Sequence, residues 1–281
     1  MRLLFFCPQW GQEHLSPEVF LSKVREAGFD GIDTWMPEEK EQRKKFIQLV
    51  GEYKLAIVSH QHQAKGDNIK AFCRSFDYYL NVSLECGPLS INSHSGRDYF
   101  TIDEQLQVLD TTLNFSVKNN IRINHETHRG RMFFSPGNAE IFNARPEVNI
   151  TADLSHWVCV SVNLHLKGFE NVLAEAIQKA AHIHARVGFE EGPQIIDPRL
   201  PAWQKEVSVF LNWWDKIIEH QSGKGAAVMT LTPEFGPFPY MWQLPGTGEP
   251  VASQWDINVF MKDLLKKRYS KREVKPDLLS I

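Results

Sequence analysis

Short apolar runs recur along this chain, and a longer stretch follows each of them in which apolar residues return every three or four positions. A short apolar run predicts a strand, and a stretch with apolar residues every three or four positions predicts a helix that buries one face. Eight strands are predicted near residues 2–7, 31–35, 55–59, 88–92, 122–126, 148–153, 182–187 and 228–234. Because strict alternation of strands and helices is typical of parallel sheets, the pattern predicts a (β/α)8 barrel.

Helix start signals support this division of the chain. Ser16 followed by Pro17 has the form of an N-cap with proline at the first helical position. Thr101 and Glu104 have the spacing of a capping box, in which each residue hydrogen-bonds the backbone of the other. Asp67 is predicted to cap the helix that follows the third strand.

Length and composition narrow the class of protein. The 281 residues are ordinary for one barrel, so a single domain is predicted over residues 1–281. The net charge of −3 argues against a dedicated nucleic-acid binder, and no apolar run reaches the length of a membrane span. The four cysteines have no C-x-x-C spacing. We therefore expect a cytoplasmic protein without nucleic-acid or membrane partners.

Polar residues stand where four of the predicted strands end. These are Glu126, Asp153, His184 and Glu234. A single carboxylate at such a position is more often the N-cap of the next helix, but three of them at one end of a barrel would repel each other without a cation. We therefore predict a divalent metal site formed by these four residues. His182, which has apolar neighbours, is expected to be a hydrogen-bonded core histidine.

The order of these residues resembles that of the xylose isomerase-like superfamily. Glutamate stands at strand five, Asp153 and His156 form Asp-x-x-His at strand six, histidine stands at strand seven and glutamate at strand eight. The runs 27–33 and 232–236 are also similar to that family, and the resemblance covers essentially the whole chain. The family includes ketose 3-epimerases, hydroxypyruvate isomerase, inosose dehydratase and endonuclease IV. The resemblance implies a sugar or sugar phosphate isomerase or epimerase with one divalent ion, Mn, Mg, Co or Zn.

The same resemblance implies roles for individual residues. Glu126 and Glu234 would be metal ligands and also an acid/base pair that moves a proton through an enediolate. His156 would contact an oxygen of a carbohydrate substrate. Arg186 is similar to the family's substrate-binding arginine only approximately, because the epimerases place theirs further along the chain. Family members are often dimers or tetramers, so the resemblance implies a homo-oligomer, with loop 237–250 as a candidate contact surface.

Further histidines and aromatic residues are candidates for substrate contacts. His60 or His62, together with His94, is expected to bind substrate hydroxyls, although these residues could also hold a second metal with Glu126. Aromatic residues in or near the exit loops are candidate platforms for a sugar face, and plain loop packing is the alternative for each. Among them, Trp10 and Trp157 are taken as substrate-binding candidates.

Three other functions remain open at this stage. A sugar-acid or inosose dehydratase would use the same first proton abstraction. A metal-dependent nuclease similar to endonuclease IV is less favoured, because that enzyme has an Asp-x-His pair after strand seven where this chain has Asp197-Pro-Arg199. A carbohydrate-binding barrel without turnover is opposed by the presence of both Glu126 and Glu234.

Overall fold

The chain forms a closed barrel of eight parallel strands in sequential order. The computed structural model of the protein describes residues 1–138 and 140–270. The strands are β1 Arg2–Pro8, β2 Gly31–Thr34, β3 Ala56–Gln61, β4 Ser90–Ser93, β5 Ile123–Glu126, β6 Asn149–Ala152, β7 Ala180–His184 and β8 Val228–Thr232. The predicted (β/α)8 fold is confirmed, and every strand lies within a few residues of its predicted position.

Helices surround the barrel and connect its strands. Within the described residues they are α1 Pro17–Glu26, α2 Lys40–Glu52, α3 Ile69–Leu84, α4 Ile102–Asn119, α5 Glu140–Ala144, α6 Leu154–Ser161, α7 Glu170–Lys179, α8 Gln204–Gly223 and α9 Gln254–Tyr269. Two of them, α6 and α7, lie between β6 and β7, where the sequence pattern predicted one. The extra helix α6 begins directly after Asp153 and therefore changes the direction of the side chains that follow it.

Side-chain caps explain where several helices begin. Ser16 accepts a hydrogen bond from the backbone N–H of Val19, and Thr101 and Glu104 form the predicted capping box. The prediction for α3 was wrong by one residue, since Asn68 and not Asp67 accepts from the backbone of Ala71. Either residue type can supply the accepting oxygen, so the sequence alone does not choose between two neighbours.

The apolar core lies mainly between the barrel and its helices. Phe5 and Cys7 of β1 belong to the large cluster that includes helix residues, whereas Leu4 and Phe6 belong to a small cluster with Val58. Since alternate residues of a strand point to opposite faces, the small cluster fills the barrel interior. Near the carboxyl ends of the strands this interior becomes polar.

A buried polar layer lies next to the small interior cluster. Its members include Asn92, Asn124, His182, Thr230 and Thr232. As expected, His182 is satisfied inside the core, because Thr230 donates to its Nδ1 over 2.7 Å and Thr232 lies 3.2 Å from its Nε2. The polar layer thus separates the small apolar cluster from the carboxyl ends of the strands.

No helix in residues 1–138 and 140–270 is long and apolar enough to cross a membrane. The sequence also predicts a basic, solvated end at 266–272 and 275–276, and residues 271–281 lie outside the described part of the chain.

Gly31 should be essential to closure of the barrel between β1 and β3. A Cβ atom there would lie 2.3 Å from the backbone oxygen of Ala56 and 2.5 Å from the ring of Phe6, and neither neighbour can move freely. We expect Gly31→Ala to destabilise the protein by roughly 1–3 kcal/mol, the usual effect of overpacking. The measurement is the midpoint of urea-induced unfolding.

Gly51→Ala is the matched control for this substitution. Gly51 lies in α2, and no atom is found within 4 Å of an added Cβ. Since alanine favours a helix over glycine by about 1 kcal/mol, this variant should be equally or more stable than the wild type. A Gly31→Ala protein as stable as the wild type would contradict the packing argument.

Candidate metal centre and active site

The carboxyl ends of four neighbouring strands bring the predicted ligand residues together. Glu126 and His184 end β5 and β7, Asp153 follows β6 directly, and Glu234 stands two residues after β8. One ligand atom from each of these four side chains lies within 4.8 Å of the others. The distances are short enough for one ion to contact all four, and their role as ligands stays a prediction.

His184 is at the centre of this group. Its Nδ1 lies 2.8 Å from Oε2 of Glu234 and 3.5 Å from Oε2 of Glu126. Both Nδ1 of His184 and Oε2 of Glu234 are buried, and neither has a hydrogen-bond partner within the described parts of the chain. Two buried electron-pair donors at 2.8 Å require a positive charge between them, either a proton or a metal ion. The donor set therefore fits a divalent cation.

The other ring nitrogen of His184 faces a carboxylate that the sequence analysis did not identify. Nε2–H donates to Oδ2 of Asp33 over 3.1 Å, and Asp33 comes from β2 on the other side of the barrel. Burial by itself raises the pKa of Asp33, but hydrogen bonds from His182 and His184 outweigh it and hold that pKa far below its usual range. Asp33 is therefore an anion inside the barrel.

Arg186 contributes a buried positive charge beside the four residues. Its side chain is 1% exposed and donates to Oδ2 of Asp153 and, over 2.8 Å, to Nε2 of His156. The same Nη2 atom lies 3.5 Å from Oε2 of Glu234. Burial, together with the carboxylates of Glu234 and Glu126, raises the pKa of Asp153 to about 6 although Arg186 acts in the opposite direction. One guanidinium thus offsets only part of the charge of three carboxylates.

A cavity of about 300 Å³ opens directly above these residues. Its wall contains aromatic, imidazole and charged side chains, namely Trp10, Trp35, Tyr240, His60, His62, His94, His128, Glu126, Glu234 and Arg186. Tyr240 contacts two of the others, with its ring centroid 5.0 Å from that of Trp10 and 4.8 Å from the guanidinium carbon of Arg186. This volume is at the lower end of the range of roughly 300–1,000 Å³ typical of ligand pockets, so it suits a small molecule.

Three histidines of the wall are neutral. Burial lowers the pKa of both His62 and His128 to about 4. It also lowers the pKa of His94 well below its usual value, against the attraction of Glu126. Neutral imidazoles offer one donor and one acceptor each, which is suited to hydroxyl groups and also to a transition metal.

A second set of possible ligands shares Glu126 with the first. Nε2 of His94 lies 3.1 Å from Oε2 of Glu126, and Nε2 of His60 lies 3.9 Å from the same oxygen. The three side chains place ligand atoms within 4.8 Å of one another. Both interpretations of His60 and His94, as hydroxyl partners or as ligands of a second ion, therefore remain compatible with the geometry.

The structure brings most, but not all, of the predicted substrate-contacting residues to the cavity. Trp10, His60, His94 and Arg186 line it. His156 is fully buried behind the wall, with its ring centroid 4.0 Å from that of His128.

Trp157 does not line the cavity. Its ring is fully buried in the apolar core, and its Nε1 donates to the backbone oxygen of Phe133 over 2.8 Å. Since α6 begins right after Asp153, consecutive residues of this segment point about 100° apart, the rotation per residue of an α-helix. The helix turns His156 towards the site and Trp157 into the core. We therefore do not assign Trp157 to substrate binding.

Two other wall residues, His128 and Tyr240, were not predicted. His128 stands two positions after Glu126, a spacing that would have indicated it. Tyr240 lies in the irregular loop after β8, where no periodicity predicts the direction of a side chain.

Comparisons with known proteins support the fold. No protein-family model and no curated protein sequence matches this chain. Among solved structures, L-ribulose 3-epimerase is similar with a TM-score of 0.62 at 11% identity, covering 98% of this chain and 98% of that one. The chain shares the closed (β/α)8 barrel fold of this structure.

Two further neighbours represent the other functions that this fold performs. The probable 3-DHS dehydratase AsbF of Bacillus anthracis has a TM-score of 0.59 at 14% identity, covering 95% of this chain and all of that one. Endonuclease IV of Thermus thermophilus has a TM-score of 0.56 at 11% identity, covering 96% of this chain and 100% of that one. At these identities the likeness concerns the fold, so the choice among functions depends on the site.

Metal affinity should fall as the pH falls, because a proton and a metal ion compete for His184. Burial lowers the pKa of His184, but the carboxylates of Glu234 and Glu126 outweigh it and raise that pKa well above its usual value. The metal-free imidazole is then protonated at neutral pH, and binding at Nδ1 must release that proton. The affinity for Mn²⁺ should therefore rise with pH up to the pKa of metal-free His184, by about tenfold per pH unit.

Calorimetric titration with MnCl₂ in buffers of different ionisation enthalpy measures this release directly. We expect about one proton released per ion bound near neutral pH. Binding without proton release, and with the same affinity on either side of neutral pH, would contradict the placement of the ion at Nδ1 of His184.

Proposed function

We propose that this protein is a divalent-metal-dependent isomerase or epimerase of a small carbohydrate. The observation that carries the proposal is the convergence of Glu126, Asp153, His184 and Glu234, with ligand atoms within 4.8 Å of one another, at the floor of a small cavity. Three carboxylates and one imidazole suit Mn²⁺, Mg²⁺, Co²⁺ or Zn²⁺, and we propose one such ion. When bound, the ion would polarise a substrate carbonyl and stabilise the negative charge that develops on its oxygen.

Glu126 and Glu234 are proposed as the acid/base pair. Both line the cavity, and they contact His184 from the carboxyl ends of two different strands. Asn92 donates to Oε2 of Glu126 over 2.8 Å, and His94 lies 3.1 Å from the same oxygen. Burial raises the pKa of Glu126, but its contact with His94 and the positive charge of His184 outweigh burial, lower that pKa and keep this carboxylate ionised. It can therefore accept a proton.

Proton transfer would proceed between the two glutamates and one carbon of the substrate. One carboxylate removes the proton from the carbon beside the carbonyl, and this produces an enediolate. The other glutamate returns a proton to the opposite face, which inverts the carbon, or to the neighbouring carbon, which moves the carbonyl when a hydroxyl proton also passes from one substrate oxygen to the other. A dehydratase would share the first of these steps and differ in the loss of a hydroxyl group.

The charges of the cavity favour a neutral substrate. Arg186 is the one arginine or lysine of the described chain that lines it, and its guanidinium is already held by Asp153 and Glu234. His62, His94 and His128 are uncharged at neutral pH. A phosphate would therefore have no free arginine or lysine to bind there, whereas the aromatic side chains of the wall offer their faces to the C–H groups of a sugar. We propose an unphosphorylated monosaccharide as the substrate.

Replacing Glu234 by glutamine tests the proton transfer. With free ketoses such as L-ribulose and D-allulose in D₂O, the wild type should incorporate deuterium at the carbon that exchanges. Glu234→Gln should slow this exchange by at least about 10²-fold, because general acid/base groups contribute about 10²–10⁴-fold. Proton NMR follows the loss of the C–H signal.

Glu249→Gln is the control, since Glu249 lies exposed in the same loop region and does not line the cavity. It should exchange deuterium like the wild type. Full exchange by Glu234→Gln would remove Glu234 from the proposed mechanism.

Metal stoichiometry separates the isomerase from the nuclease. The carboxylate of Asp197 is paired with its neighbour Arg199, whose Nη2 lies 2.6 Å from Oδ2, and Asp197 belongs to no ligand group found among the described residues. Elemental analysis of protein purified without chelators should find one ion per chain, and Asp197→Ala should leave that number unchanged. Two or three zinc ions per chain, or their loss in Asp197→Ala, would favour a nuclease and abasic DNA as substrate.

A further inference from the structure

Asp33 is a buried anion to which the proposed mechanism gives no role. We propose that Asp33 is a positioning residue that orients the ring of His184 and fixes its tautomer, so that Nδ1 faces the metal centre. This inference rests on the proposed metal-dependent function. The four predicted ligands do not orient the ring of His184 in this way, and Asp33 from β2 would do so.

The tautomer of His184 follows from the groups around its ring. Nε2 lies 3.1 Å from Oδ2 of Asp33, and a carboxylate can only accept, so Nε2 must carry the hydrogen. Nδ1 faces Oε2 of Glu234 and Oε2 of Glu126, which are also acceptors. With Nε2 protonated, the lone pair of Nδ1 points to the carboxylates, where an ion can share it.

Asn92, another polar side chain close to Nε2, cannot replace Asp33 as the acceptor. Its side-chain nitrogen lies 3.3 Å from Nε2, but this nitrogen can only donate, and one of its two hydrogens goes to Glu126 over 2.8 Å. Reversing the amide would place its oxygen against the carboxylate of Glu126, which is unfavourable. Asn92 is therefore held in the orientation that cannot accept from His184, and Asp33 is the acceptor.

Asp33 is itself fixed by the two strands that it faces. Thr232 donates to its Oδ2 over 2.9 Å, and Nε2 of His182 lies 3.4 Å from the same oxygen. These residues belong to β7 and β8, whereas the hydrogen-bonded neighbours of β2 are β1 and β3. The contact from Asp33 to His184 therefore crosses the barrel interior and does not form part of strand pairing.

A carboxylate in this position has a physical consequence for metal binding. A histidine that donates its second N–H to a carboxylate is a more basic ligand, and its ring cannot rotate freely. Loss of such a partner typically weakens metal affinity by about 10–100-fold. Asp33 should therefore affect metal affinity without contacting the ion or the substrate.

The test is the dissociation constant of Mn²⁺ measured by calorimetry for Asp33→Asn. Asparagine keeps the size of the side chain and removes its charge, and the dissociation constant should rise by about 10–100-fold. Asp30→Asn is the matched control, because Asp30 directly precedes the same strand. Its Oδ2 accepts a hydrogen bond from the backbone N–H of Phe5 and not from His184. This variant should bind Mn²⁺ like the wild type.

A second measurement is made on the wild-type protein, with His184→Gln used only for assignment, and so does not depend on whether Asp33→Asn folds. In protein loaded with Zn²⁺ and labelled with ¹⁵N-histidine, long-range ¹H–¹⁵N spectra distinguish a ring bound through Nδ1 from one bound through Nε2. We expect His184, assigned by its loss in His184→Gln, to show zinc on Nδ1 and hydrogen on Nε2. Zinc on Nε2 would overturn the proposal.

The outcomes separate this inference from the proposed function. If the wild type binds Mn²⁺ and Asp33→Asn binds it equally well, Asp33 has no positioning role and the proposed function is unaffected. If the wild type binds no divalent ion, the proposed function fails and the role of Asp33 fails with it. A weaker affinity in Asp33→Asn with an unchanged affinity in Asp30→Asn supports both.

Discussion

The site depends on one contact, the 2.8 Å approach of Nδ1 of His184 to the carboxylate of Glu234 inside the protein. Both atoms are electron-pair donors and both are buried, so this arrangement is stable only with a proton or a metal ion between them. The barrel brings the two residues together, because β7 and β8 are neighbours and their carboxyl ends lie side by side. The barrel fold therefore determines the short distance between these two residues.

Charge around this pair is distributed unevenly. Arg186 neutralises one side of the centre through Asp153, while Glu126 faces the neutral imidazole of His94 on the other side. The centre therefore keeps net negative charge for a divalent ion, and the cavity above it keeps little free positive charge. This distribution of charge is the basis of our proposal that the site holds a metal ion and takes an unphosphorylated substrate.

The sequence predicted the barrel and its four strand-end residues because both depend on local periodicity. Apolar runs locate the strands, and a polar residue that ends such a run must lie at the rim of the barrel. Asp33 was missed because its contact with His184 joins residues 151 positions apart across the barrel interior. Trp157 was assigned to the cavity because α6 was not predicted, and a helix turns adjacent residues in different directions.

The polar interior of the barrel explains how side chains from different strand ends can keep fixed positions relative to one another. An apolar filling would give the ring of His184 no hydrogen-bond acceptor, whereas the polar layer of His182, Thr230, Thr232 and Asp33 connects β2, β7 and β8 by hydrogen bonds. This layer lies below the predicted ligands and does not line the cavity. It can therefore hold the geometry of the centre constant while the loops above it determine which molecule enters.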